Sequence, residues 1–154
     1  MTRALRPLFT LISGIAVSAQ LVYAQENLIF GTWKITASKT TNPPRSETRT
    51  DEDCGGGFIL STRQGTDSQG RDYFSQYAAK HDGKEYPRLV KGVPGINTIA
   101  FQQMDPYTST YTLRTNGKVT ATGKTTISRD GKVLTVETTS VAGGRTTTEV
   151  YDKH

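Results

Sequence analysis

From residue 30 onward the chain alternates between apolar and polar residues in short runs. No window shows helical periodicity for longer than about two turns. The run Val119-Thr120-Ala121-Thr122-Gly123-Lys124-Thr125-Thr126 is representative. Threonine dominates, with Val, Ile and Tyr behind it, and branching at Cβ fits a pleated strand better than a helix. Strands are predicted over about 30–37, 46–51, 58–64, 71–80, 84–88, 97–104, 110–115, 118–128, 132–140 and 145–152. Turn signals separate them at Asn42-Pro43-Pro44, Asp82-Gly83, Asp105-Pro106, Asn116-Gly117, Asp130-Gly131 and Gly143-Gly144. Asn-Gly and Asp-Gly favour two-residue hairpins, whose central residues take positive φ. With no crossover helices, the expected fold is all-β: an antiparallel, up-and-down barrel of about eight to ten strands.

The first 24 residues follow a different pattern. Arg3 and Arg6 precede an apolar stretch from Leu8 to Ala19, and Val22-Tyr23-Ala24 is a small-x-small cleavage site. These are the three parts of a secretory signal peptide. The expected organisation is a signal over 1–24 and one domain over 25–154, in a periplasmic or extracellular protein. Removing the two arginines lowers the formal charge from +5 to +3. The remaining charges are scattered and not interleaved with aromatics, so no nucleic-acid partner is expected. No apolar run of about 20 residues follows the signal, so no membrane anchor is expected after cleavage. Strands that alternate with Thr and Lys also lack the continuous apolar outer face of a membrane barrel.

The single cysteine, Cys54, cannot form an internal disulfide. It follows Asp51-Glu52-Asp53, whose carboxylates disfavour a thiolate. It reads as an idle thiol beside a solvated acidic loop. His81 and His154 have no metal-ligand spacing, and no nucleophile elbow, P-loop or dinucleotide fingerprint occurs. No catalytic residue, metal or cofactor is expected, and the protein reads as a non-enzyme.

Gly31-Thr32-Trp33 resembles the opening motif of lipocalins and their calycin relatives. The wider chain resembles a group of small secreted bacterial proteins described as lipocalin-like, mostly uncharacterised. The residues carrying this are Gly31-Thr32-Trp33-Lys34, the central Tyr77 to Pro87 segment, the hairpin from Ser128 to Val136 and the closing Val150-Tyr151-Asp152-Lys153. Departures are Ile35-Thr36-Ala37, His81, and the acidic Asp51–Asp53 run with Cys54. The resemblance implies a lipocalin-like barrel and carries over no settled biochemical role.

Closing an up-and-down barrel pairs its first and last strands. That places Gly31 and Trp33 beside Tyr151 or Lys153 at a closed floor, where a cation on the indole would act structurally. Alternation sets Tyr73 and Tyr77 on one face of their strand and Phe74 on the other. Tyr73 and Tyr77, or else Phe74, are expected to face inward with Phe101 and Tyr111, either lining a cavity or filling the barrel, with Ser, Thr and Arg114 as partners for the tyrosine hydroxyls. Two functions follow. One is an exported binding protein holding a small apolar or amphipathic ligand inside the barrel. The other is a module that binds a protein partner, as protease or lysozyme inhibitors do, through loops at 39–46, 65–70 or 88–95. A hollow interior favours the first, and a filled interior with a protruding loop favours the second.

Overall fold

The computed structural model describes residues 28–154, so the signal peptide read at 1–24 lies outside the described residues. Ten strands follow one another: β1 (Gly31–Ile35), β2 (Ser46–Asp53), β3 (Ile59–Thr66), β4 (Asp72–Ala79), β5 (Asp82–Val90), β6 (Asn97–Asp105), β7 (Thr108–Thr115), β8 (Lys118–Ile127), β9 (Val133–Ser140) and β10 (Thr146–Lys153). One 3-10 turn, Ala37–Lys39, lies between β1 and β2. Each strand pairs antiparallel with its neighbours in sequence, and β1 pairs with β10 to close the barrel. The fold is all-β and up-and-down, and closure leaves no sheet edge exposed.

The turns follow local chemistry at most positions. Asn116 and Gly117 have φ of 51° and 77°, as a tight hairpin between β7 and β8 requires. Asp82-Gly83 differs from its expected role. The chain reverses earlier, at residues 80–81, and both residues belong to β5. Gly83, at φ 79°, lies where the β5–β6 register shifts between Asp82 and Glu85. A positive-φ glycine suits a bulge as well as a turn, so the dipeptide did not distinguish them. Gly65 and Thr66 extend β3, and residues 88–90 extend β5, so the expected loops shorten to 67–71 and 91–96.

The end of the barrel where β1 begins and β10 finishes is solid. Trp33 is fully buried and pairs in register with Lys153. Its indole N–H donates to the Ile29 carbonyl at 2.8 Å. Ile29, Ile59, Ala79, Ile127 and Leu134 pack in the same core cluster. The Lys153 ammonium lies 5.0 Å from the indole centre and donates to the Leu28 carbonyl at 2.8 Å. Gly31 has φ of 134°, and a Cβ there would stand 2.9 Å from Lys153 Cε, so a side chain is opposed by backbone and neighbour alike.

Candidate functional site

The interior is also charged, starting at the level of the floor, where Arg49 and Asp51 are the cross-strand partners of Trp33 and Gly31. In β2 the alternation turns Glu47, Arg49 and Asp51 inward and buries them, while the threonines between are only partly covered. Arg49 grips Asp51 with two bonds, Nε to Oδ2 at 2.7 Å and Nη2 to Oδ1 at 3.1 Å. Arg63, from β3, holds Glu47 in the same way at 2.8 and 2.9 Å and reaches Glu149 of β10 at 2.9 Å. The hydroxyls of Tyr73 and Tyr151 donate to Glu47, and Tyr151 also donates to Glu149. Such a network is tolerable inside a protein because its charges have partners and hydrogen bonds.

The network sets its own protonation. Burial pushes the Glu47 carboxyl upward, but Arg63 beside it and the three donors overcome this and hold it below the usual carboxylate range. Burial first, then the bond to Glu47 and its charge, keeps the Tyr73 hydroxyl protonated. Tyr151 is raised by burial; Arg63 opposes this, but Glu149 and Glu47 reinforce it.

Next to the network lies a cavity of about 250 Å³ inside the barrel. One wall is aromatic: Phe101 sits 5.5 Å from Tyr77 and 5.7 Å from Tyr111, centre to centre. His81 backs Phe101 at 4.8 Å in a stacked arrangement. Its Nδ1 lies 2.9 Å from Gln103 Oε1 and 3.1 Å from Ser109 Oγ. Burial pushes the imidazole down, the Gln103 bond opposes this, and the Arg49 charge adds to the lowering. The rest of the lining mixes Ile99, Leu113 and Val136 with Ser75, Thr125, Thr138, Thr147, Arg49, Arg63, Arg88 and Glu149.

The structure brings three of the candidate lining residues, Tyr77, Phe101 and Tyr111, to this cavity. Tyr73 also belongs to the inward series of β4, but its hydroxyl is committed to Glu47, and it borders a separate hollow with Asn42, Pro44 and Asp67. Arg114 is a correction. Leu113 takes the cavity position, the β7–β8 register shifts between the two residues, and Arg114 pairs instead with Glu85 at 3.0 Å. The acidic run is also corrected. Asp51 is buried inside the barrel, and only Glu52 and Asp53 are exposed with Cys54.

Sequence reasoning missed Arg49, Arg63, Arg88 and Glu149. Their signal was parity: Arg49, Arg63 and Glu149 each lie two residues from a buried neighbour on the same strand, and Arg88 lies two from the half-buried Tyr86. Because both faces of these strands are polar, hydropathy could not indicate which face turned inward.

The fold and this site define a closed ten-stranded antiparallel barrel with a packed floor and a small, partly charged internal cavity. No family model matches the chain. No curated protein matches it either. Among solved structures it is similar to EF1p2_mFAP2b, solved bound to DFHBI, with a TM-score of 0.48 and 15% identity, covering 86% of this chain and 99% of that one.

Proposed function

We propose that this chain is an exported, non-enzymatic binding protein that holds a small amphipathic ligand inside the barrel, toward the end opposite its packed floor. The observation that carries this reading is the internal cavity of about 250 Å³, with aromatic rings on one side and charged and hydroxyl groups on the other. That volume lies just below the roughly 300–1,000 Å³ of drug-sized sites, so it suits a ligand of one or two rings better than a long acyl chain. Burying about 150 Å² of apolar ligand surface would contribute roughly 4 kcal/mol before the costs of association. The polar lining would set orientation.

The competing reading, a module for a protein partner, draws on the exposed apolar residues Leu89, Val93 and Ile96 on and just after β5. The cavity favours the carrier. Native mass spectrometry of the mature protein from its own source, followed by solvent extraction, is expected to show a reproducible small-molecule adduct. A clean apo mass, with no saturable binding across a panel of small amphiphiles by NMR, overturns the reading.

A further inference from the structure

Three arginines line the cavity, and they are not equivalent. Arg49 is committed to Asp51 and Arg63 to Glu47 and Glu149. The Arg88 guanidinium has no hydrogen bond or ion pair with any described residue, although it faces the same space. Glu149, the cavity carboxylate that could serve it, already accepts from Arg63 through one oxygen and from Tyr151 through the other. Arg88 is also directly opposite Tyr77 in the β4–β5 ladder, and both residues line the cavity. Tyr77 accepts from Arg49 at 3.5 Å, and its own O–H has no acceptor among the described residues. Cross-strand partners have Cβ atoms about 5 Å apart, close enough for both donors to meet one ligand group.

We propose that the ligand is a small aromatic monocarboxylate, its carboxylate held by the Arg88 guanidinium and the Tyr77 hydroxyl and its ring set against Phe101 and Tyr111. This rests on the carrier reading and gives that ligand its chemistry. Arg88 offsets the charge of Glu149 at a distance but binds no group directly, and its planar guanidinium fork matches the two oxygens of a carboxylate. Burial, and then the positive charge of Arg63, push Arg88 down from the usual arginine value; Tyr77, Tyr111 and Glu149 oppose this without reversing it, and an anion bound directly would add to their effect. The guanidinium remains protonated throughout the neutral range.

The test titrates benzoate and 2-naphthoate beside benzamide and 2-naphthamide, neutral molecules of nearly the same shape. The acids are expected to bind about tenfold or more tightly than the amides, since a charge-assisted bond outweighs a neutral one by that order. Arg88→Gln should remove the preference, bringing the acids to about the affinity of the amides. Tyr77→Phe should weaken the acids severalfold, about the effect of one neutral bond, and serves as a second probe should Arg88→Gln prove unstable. Acids and amides that bind equally, with neither variant altering them, overturn the anion inference and leave the carrier reading standing. Saturable binding of none of the four to the folded wild-type protein overturns the anion inference, and the carrier reading falls with it only when the native mass is also clean apo and no other amphiphile binds.

Discussion

Tyr111 on β7 reaches over Gly123 on β8 to bond Thr138 on β9 at 2.5 Å, and the three residues are consecutive partners across the two ladders. The same device recurs on the opposite side of the barrel. There Tyr73 on β4 passes over Gly65 on β3 to reach Glu47 on β2, again along consecutive register positions. In each case a tyrosine covers a strand glycine and spends its hydroxyl two strands away. A Cβ at Gly123 would collide with the Tyr111 ring and the Glu137 carbonyl.

Gly123→Ala is therefore expected to destabilise the fold by about 1–3 kcal/mol through overpacking. Because Tyr111 lines the cavity, its displaced ring should also weaken binding of small ligands. Urea melts and a ligand titration on the same variant check both effects. Unchanged stability would show that the tyrosine swings aside freely.

Glu47→Gln keeps the volume but removes the charge that Arg63, Tyr73 and Tyr151 converge on. Leaving the half-buried Arg63 with Glu149 alone is expected to cost about 3–5 kcal/mol, at the upper end only if water cannot enter. The wild-type carboxyl titrates below its unfolded value, so the unfolded chain binds more protons on the acid side. The stabilisation is present above the ordinary glutamate value of about 4.3 and is lost as the pH falls through the lower folded value. Urea midpoints between pH 3 and 7 should rise with pH in the wild type and less steeply in the variant.

His81 supplies a second pH dependence at a higher range. Its imidazole is held neutral by burial against Phe101, below the unfolded value of about 6.5. Stability is thus fully present above that value and declines as the pH falls through the lower folded one. His81→Phe keeps the stacked ring and should flatten the slope of the midpoint between pH 5 and 7. A slope that survives the substitution would assign it to another group.

Lys153→Met retains the stem over Trp33 and removes the ammonium. The loss of the cation over the ring should cost about 0.5–2 kcal/mol, with the Leu28 carbonyl losing its donor as well. Trp33 is the only tryptophan, so its emission reports the floor alone during unfolding. A melt monitored this way should show the shift directly.

Much of the fold was legible in the sequence. Ten strand segments, the Asn116-Gly117 hairpin and the pairing of the first strand with the last follow from alternation, turn chemistry and the need to close an edge. These are local or topological constraints, and neighbouring residues along the chain are enough to express them. The aromatic part of the candidate site was legible for the same reason, since Tyr77, Phe101 and Tyr111 are large residues at alternating positions.

The charged interior was not legible. Segments such as Glu47 to Asp51 or Thr146 to Glu149 are polar on both faces, so their sequence does not say which side turns inward. That choice belongs to the closed barrel, where register aligns Glu47 with Gly65 and Tyr73, and Tyr77 with Arg88. A buried charge needs partners, and apart from the Arg49–Asp51 pair within β2 these come from other strands, as Tyr151 comes to Glu47 from 104 residues away. The sequence alone determined the strands, their order and the closure. The tertiary structure decided which arginines are paired, which one is left facing the cavity, and where the filled interior ends, because these depend on contacts across the barrel.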